Sequence, residues 1–200
     1  MPIRAIILDI GGVLEHTPDL DTAARWEPEF GSGWIHRVDP VFRAGEIGEI
    51  TLEQVHERAA DALGVPVARI EAFMDDVWVE YLGTYNAEIA DYWRARRDEG
   101  YTTAIISNSF VGAREREEEA YRFSELTDLI VYSHEVGMLK PDPAIYELCL
   151  DRLGLPPEET VFVDDVEGNC AAARALGMSA VLFKDTAQAV RELDALLQRA

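Results

Sequence analysis

Four short stretches of this 200-residue sequence contain reactive side chains beside apolar residues. Asp9 follows the apolar run 6–8, Ser107 ends a second run, Lys140 precedes a proline, and the adjacent Asp164 and Asp165 end a third run. A carboxylate can attack phosphorus, a hydroxyl and an ammonium can hold phosphoryl oxygens, and paired carboxylates can hold a hard cation such as Mg²⁺. Together these residue types indicate metal-assisted phosphoryl transfer.

The elements that must position these residues follow from hydrophobic periodicity. Short β-branched runs predict five strands, and helical patterns lie between them, so the sequence predicts an α/β fold with a Rossmann-like, mostly parallel sheet. Ligands bind at the carboxyl ends of strands in such sheets, so the four stretches should meet at one edge. Taken singly, each could be a turn, a cap or a surface residue. The predicted strands are 3–8, 101–107, 128–132, 160–163 and 179–183, and the predicted helices include those after Asn86 and Asp142 and those over 168–176 and 186–199.

One segment departs from this alternation. Between Glu15 and Gly83 no strand pattern is found, and Thr51 to Gln54 fits a helix capping box followed by an amphipathic stripe. A second helical stripe begins after Pro66. We therefore predict a core of residues 1–15 and 87–200 with a small α-helical cap, residues 16–86, inserted after the first strand. A cap in that position is a candidate lid over the first loop.

Charge and cysteine content restrict the class of protein. The chain carries 18 Lys and Arg against 38 Asp and Glu, a net charge of −20, which disfavours nucleic acid as a partner. The two cysteines, Cys149 and Cys170, lack metal-like spacing and suggest buried thiols in a reducing cytoplasm. The N-terminal apolar run is too short for a signal peptide or membrane span. The charged run 114–119 is expected to be a solvated helix face, and the sequence leaves the oligomeric state open.

The four stretches resemble the ordered motifs of the haloacid-dehalogenase superfamily of hydrolases. The first motif corresponds to Leu-Asp-Ile-Gly-Gly-Val around Asp9, and the second to Ile-Ile-Ser-Asn ending at Asn108. The third corresponds to Lys140 before Pro-Asp-Pro, and the fourth to Val-Asp-Asp from Val163 to Asp165. The resemblance covers the whole predicted core, and the inserted helices are similar to the small helical cap of that superfamily.

The resemblance implies a role for each matching residue. Asp9 would be the nucleophile and a Mg²⁺ ligand, and the backbone carbonyl of Gly11 would be a second ligand. Asp164 and Asp165 would complete the metal site, directly or through water. The phosphoryl group would be bound by Ser107, Asn108 and Lys140, and Asn169 would hold the loop of the fourth motif.

The first motif departs from the phosphatase pattern at one position. Phosphatases of the superfamily carry a second aspartate two residues after the nucleophile, as acid and base, and this chain has Gly11 there. Glu15 or His16 could replace it, the substrate could have a leaving group that needs little protonation, or the protein could bind without turnover. General acid–base catalysis contributes roughly 10²–10⁴ in rate, so the difference matters.

These observations predict a Mg²⁺-dependent phosphatase acting on a small phosphorylated metabolite, with a sugar phosphate as one candidate, through an aspartyl-phosphate on Asp9. Two alternatives stay open. A haloacid dehalogenase also lacks the second aspartate, because halide leaves without a proton, but its anionic substrate would be repelled by Asp164 and Asp165. The other alternative is a binding or regulatory protein that keeps the metal site and has lost turnover.

Overall fold

A five-stranded parallel sheet forms the centre of the protein, whose computed structural model describes residues 2–198. The strand order is β5-β4-β1-β6-β7, which confirms the predicted α/β fold with a parallel sheet. Strands β2 and β3 form a separate antiparallel pair that the sequence analysis did not predict. The strands are β1 Ala5–Leu8, β2 Glu15–His16, β3 Thr84–Tyr85, β4 Thr102–Ser107, β5 Leu129–Tyr132, β6 Thr160–Asp164 and β7 Ser179–Leu182.

Helices cover both faces of this sheet. Alternate residues of β1 enter different core clusters: Ile6 and Leu8 pack with Trp93 on one face, and Ile7 packs with Tyr146 on the other. The core helices are α5 Ala87–Asp98, α6 Ala113–Tyr121, α7 Phe123–Leu126, α8 Ser133–Val136, α9 Pro143–Leu153, α10 Glu167–Ala175 and α11 Thr186–Leu197, with a 3₁₀ turn at Pro157–Glu159. Residue 199, included in the last predicted helix, lies outside the described residues.

Two predicted helix starts are confirmed by their caps. The side chain of Asn86 accepts a hydrogen bond from the backbone of Ile89 at the start of α5, and Asp142 accepts one from Ala144 at the start of α9. Asn86 also donates to the carbonyl of Val13 at 2.9 Å, so the α5 cap holds the loop that follows β1.

Four helices connect β2 to β3. They share an aromatic core built around Phe73 and Trp78, which also includes Phe110 and Ala113 from the segment after β4. Thr51 and Gln54 form the predicted capping box, which is confirmed. The helices, here called the helical insertion, are α1 Thr22–Phe30, α2 Trp34–Glu46, α3 Leu52–Leu63 and α4 Val67–Leu82. The division into core and cap at residues 15, 16, 86 and 87 stays a prediction.

The expectation for the charged run 114–119 is wrong at one residue. Glu117 lies on the side of α6 that faces the protein and is 1% exposed, and the hydroxyl of Tyr132 donates to its carboxylate. The exposed neighbours Glu115 and Glu119 do follow the expectation. Across residues 2–198, none of the helices has the length and apolar character needed to cross a membrane.

Candidate active site

Strand register brings the predicted nucleophile to the edge where β4 and β6 also end. Leu8 pairs with Ile105 of β4 and with Val163 of β6, and the backbone N–H of Asp9 continues the ladder by donating to Val163 at 2.9 Å. Asp9 is 7% exposed, and its Oδ1 accepts a hydrogen bond of 2.7 Å from the backbone of Ile10. The nucleophile candidate is therefore fixed by the sheet and by its own loop.

Lys140 lies between two carboxylates at this edge. Its Nζ is 2.7 Å from Oδ1 of Asp9 and 2.7 Å from Oδ2 of Asp164, and the side chain is almost fully buried. The amide of Asn108 holds the backbone of Lys140 from both sides, donating to its carbonyl at 2.9 Å and accepting from its N–H at 2.7 Å. This contact positions the ammonium, while substrate binding by Asn108 stays a prediction.

Asp164 and Asp165 face the nucleophile from the end of β6. Asp164 is completely buried, and its carboxylate accepts from the backbone of Val166 at 2.8 Å and from the amide of Asn169 at 3.0 Å. Asp165 is exposed at the protein surface. Gly12 has φ 71°, and a Cβ there would lie 2.3 Å from the Asp165 carboxylate, so only glycine permits this approach.

These three aspartates fit a divalent cation. Oxygens of Asp9, Asp164 and Asp165 all lie within 4.8 Å of one another. Burial raises the pKa of Asp9 against the opposing effect of Lys140, and burial followed by the charge of Asp164 raises the pKa of Asp165. One ammonium cannot balance three carboxylates, and hard oxygen ligands of this kind suit Mg²⁺.

Ser107 is buried beside the same edge, with 2% exposure. Within residues 2–198 its hydroxyl has one hydrogen bond, a long contact of 3.5 Å to the carbonyl of Asn108, so the hydroxyl is available to another acceptor. Together with Gly11 it lines a small cavity of about 90 Å³. We call this space the phosphoryl cavity; its other lining residues are Ile10, Glu15, Thr17, Tyr81, Asn108 and Glu117.

Glu15 is the side chain that faces the position where the first motif lacks its second aspartate. A Cβ on Gly11 would lie 3.5 Å from Oε1 of Glu15, which itself accepts from the hydroxyl of Thr17 at 2.5 Å. Glu15 is 2% exposed, its Oε2 has no hydrogen-bond partner within residues 2–198, and burial raises its pKa to about 7. The other candidate, His16, is exposed.

Sequence reasoning missed three residues of this cavity, which are Thr17, Tyr81 and Glu117. Tyr81 belonged to an apolar helix stripe, and Glu117 belonged to a charged run, so neither pattern indicated a site. Burial raises the pKa of Glu117 to about 7 and that of Tyr81 well above its ordinary value. For Glu117, the sequence offers one weak signal: a charged residue at a helical position whose neighbours on the same side of the helix are apolar.

Comparisons with known proteins show the family to which the chain belongs. A family model described as haloacid dehalogenase-like hydrolase matches residues 3–177. The D-ribitol-5-phosphate phosphatase of Bacteroides thetaiotaomicron is 24% identical over 98% of both chains, and the sesquiterpene phosphatase astK of Aspergillus oryzae is 27% identical over 97% of this chain and 96% of that one. The bifunctional epoxide hydrolase 2 of Rattus norvegicus is 40% identical over 50% of this chain, and the match spans 19% of that protein's length.

Solved structures share the fold. A crystal structure of a HAD family enzyme from Bacteroides thetaiotaomicron, a magnesium complex, superposes with a TM-score of 0.78 at 23% identity and covers 93% of this chain and 96% of that one. This likeness confirms the α/β architecture.

Proposed function

Since the chain belongs to the haloacid dehalogenase-like hydrolases, we propose that it is a Mg²⁺-dependent phosphatase that acts on a small phosphate monoester through Asp9. The observation that carries this proposal is the convergence of a buried carboxylate, a buried ammonium and two further carboxylates at the ends of β1, β4 and β6. The two phosphatases among the full-length relatives support the reaction class, and their substrates, a polyol phosphate and a sesquiterpene phosphate, leave the alcohol open.

In the first half-reaction, an oxygen of Asp9 attacks phosphorus and the bond between phosphorus and the alcohol oxygen breaks. Lys140 and Ser107 hold the equatorial phosphoryl oxygens, where charge redistributes. A Mg²⁺ ion bound by Asp9, Asp165, Asp164 and the carbonyl of Gly11 would neutralise phosphate charge. The ammonium of Lys140 is suited to this role because it lies 2.7 Å from Oδ1 of Asp9, beside the carboxylate that attacks.

The departing alcohol oxygen needs a proton, which Glu15 gives in this proposal. Its carboxyl lies beside Gly11 and lines the phosphoryl cavity with Ser107. In the second half-reaction the Glu15 carboxylate takes a proton from the water that attacks the aspartyl-phosphate. Asp9 and protonated Glu15 are thereby regenerated, and inorganic phosphate leaves.

The arrangement favours a phosphatase over a dehalogenase. A dehalogenase would bring a carboxylate substrate next to Asp9, Asp164 and Asp165, and Lys140 is the one cation that faces them among residues 2–198. A phosphate monoester carries its charge on the oxygens that a bound cation and Lys140 contact, so the acidic pair becomes useful only when a metal accompanies the substrate.

Hydrolysis of p-nitrophenyl phosphate with Mg²⁺ and with excess chelator tests the proposal. We expect turnover with Mg²⁺, loss of at least ~10³-fold in chelator, and loss of turnover in Asp9→Asn, a nearly isosteric change that removes the nucleophile. Asp19→Asn, at an exposed position, is the matched control. Full activity in chelator, or wild-type rates in Asp9→Asn, would refute the proposal, and 2-chloropropionate hydrolysis under the same conditions would support the dehalogenase.

A further inference from the structure

A second and larger cavity opens between the helical insertion and the core. Its volume is about 260 Å³. This is slightly below the range of about 300–1,000 Å³ that is usual for small-molecule sites. Helices α2 and α4 form one wall, and the segments after β4 and before Lys140 form the other. The walls are mainly aromatic and aliphatic, and the residues that set this character are Phe42, Met74, Val77, Trp78, Phe110 and Leu139.

The large cavity adjoins the phosphoryl cavity. Tyr81 and Asn108 line both spaces, and Asn108 directly follows Ser107 and holds the backbone of Lys140. A phosphate monoester whose phosphoryl group lies at Ser107 therefore has its alcohol portion directed past Tyr81 and Asn108, where the apolar space begins.

The aromatic walls are fixed by packing. The ring of Phe110 stacks on Phe42 with 5.5 Å between centroids and meets Trp78 edge-on at 6.2 Å. Gly45 of α2 lies so close that a Cβ there would be 2.6 Å from the Phe110 ring. A wall held in this way is a preformed binding surface, which lowers the cost of ordering side chains around a ligand.

Charge in the large cavity is restricted to one carboxylate. Within residues 2–198 its lining includes Glu46 as the one charged side chain, and burial raises the pKa of that group. A second phosphate or a carboxylate on the substrate would meet no cation there. Sugar hydroxyls would lose water against phenyl and aliphatic surface, where few polar groups can replace it.

We propose that the alcohol portion of the substrate is apolar and occupies this cavity, an inference that rests on the proposed phosphatase function. The substrate class is a phosphate monoester of an aliphatic or aryl alcohol, rather than a sugar phosphate. Dividing the cavity volume by about 30 Å³ for each water-sized group gives room for roughly nine non-hydrogen atoms.

A series of n-alkyl phosphates from methyl to dodecyl tests this assignment with the Mg²⁺-loaded protein. Their leaving alcohols differ little in basicity, so the series measures binding of the chain. We expect kcat/KM to rise by about fourfold for each buried methylene, to level off near eight or nine carbons, and to exceed that of glucose 6-phosphate at hexyl phosphate and beyond.

Val77→Phe supplies a second measurement because it places a ring in the cavity from α4. The ratio of octyl to ethyl phosphate kcat/KM should fall by about 15-fold, the equivalent of roughly two displaced methylenes. The matched control is Val79→Phe on the same helix, whose position is 65% exposed and should leave the ratio unchanged.

The outcomes separate this inference from the proposed function. A flat response to chain length, or a preference for glucose 6-phosphate over hexyl phosphate, overturns the apolar assignment while leaving the phosphatase intact. An unchanged ratio in Val77→Phe, in protein that retains cooperative unfolding, also overturns it. Absence of turnover with every phosphate, p-nitrophenyl phosphate included, overturns the proposed function itself.

Discussion

Replacing Glu117 by glutamine should stabilise the protein at alkaline pH. Glu117 is 1% exposed, and burial raises its pKa from 4.5 to about 7 despite the hydroxyls of Tyr132 and Tyr81, which lower it. Because the folded-state pKa lies above the unfolded value, the native state carries no penalty below pH 4.5 and loses stability as the pH rises from there through about 7. Ionised Glu117 therefore costs about 3 kcal/mol at pH 8 and below about 1 kcal/mol at pH 5.

Urea unfolding followed by circular dichroism at pH 5 and pH 8, in chelator, measures this difference. Glu117→Gln should gain about 2–3 kcal/mol at pH 8, or about 4–12 °C in Tm for a chain of this size, and should gain less than about 1 kcal/mol at pH 5. The matched control is Glu115→Gln, at an exposed position on the same helix, which should change the free energy of unfolding equally at pH 5 and pH 8. The reasoning is refuted if Glu117→Gln shows no pH-dependent gain over wild type.

Three further predictions concern the site. Asp165→Ala should raise the Mg²⁺ concentration for half-maximal p-nitrophenyl phosphate hydrolysis by at least ~10-fold, and an unchanged requirement would remove Asp165 from the metal site. Glu15→Gln should slow hydrolysis of alkyl phosphates by ~10²-fold and that of p-nitrophenyl phosphate by much less, and equal losses would contradict a proton-transfer role. Gly11→Asp should raise the alkyl phosphate rate of the Glu15→Gln variant by at least ~10-fold. The substitution is sterically possible because φ at Gly11 is not positive and a Cβ there would have ordinary van der Waals space. Absence of this rescue would mean that the acid lies elsewhere.

Convergence of the candidate catalytic residues could be predicted from sequence because it depends on strand order and direction. Asp9, Ser107 and Asp164 end apolar runs, and parallel pairing places the carboxyl ends of such strands at one edge whichever helices connect them. Lys140 ends no strand, and its expected place at this edge rests on its loop lying between the third and fourth predicted strands. The structure adds that Asn108 holds this loop through its backbone.

Contacts between distant segments could not be predicted in the same way. The β2–β3 pair has two residues in each strand, which is too short to leave a periodic pattern, and its partners are far apart in the chain. Helices α1 and α2 contain Pro28 and Pro40, which lower helical propensity, so tertiary packing of their aromatic faces overrides the local signal. Burial of Glu117 depends on which side of α6 meets Tyr132, a choice made by packing.

In the function that we propose, the two cavities divide recognition of the substrate between charge and apolar surface. Around Asp9, three carboxylates and one ammonium leave an excess of two negative charges, which one divalent cation balances, so an anionic phosphoryl group is favoured there only together with the metal. The chain's net charge of −20 repels free anions elsewhere on its surface. The large cavity beyond Asn108 is different: within residues 2–198 its one charged side chain is Glu46, whose negative charge cannot balance an anionic group of the substrate. Binding energy for the alcohol must then come from burial of apolar area, so affinity should follow the hydrocarbon content of the substrate while phosphoryl transfer depends on the metal and Lys140.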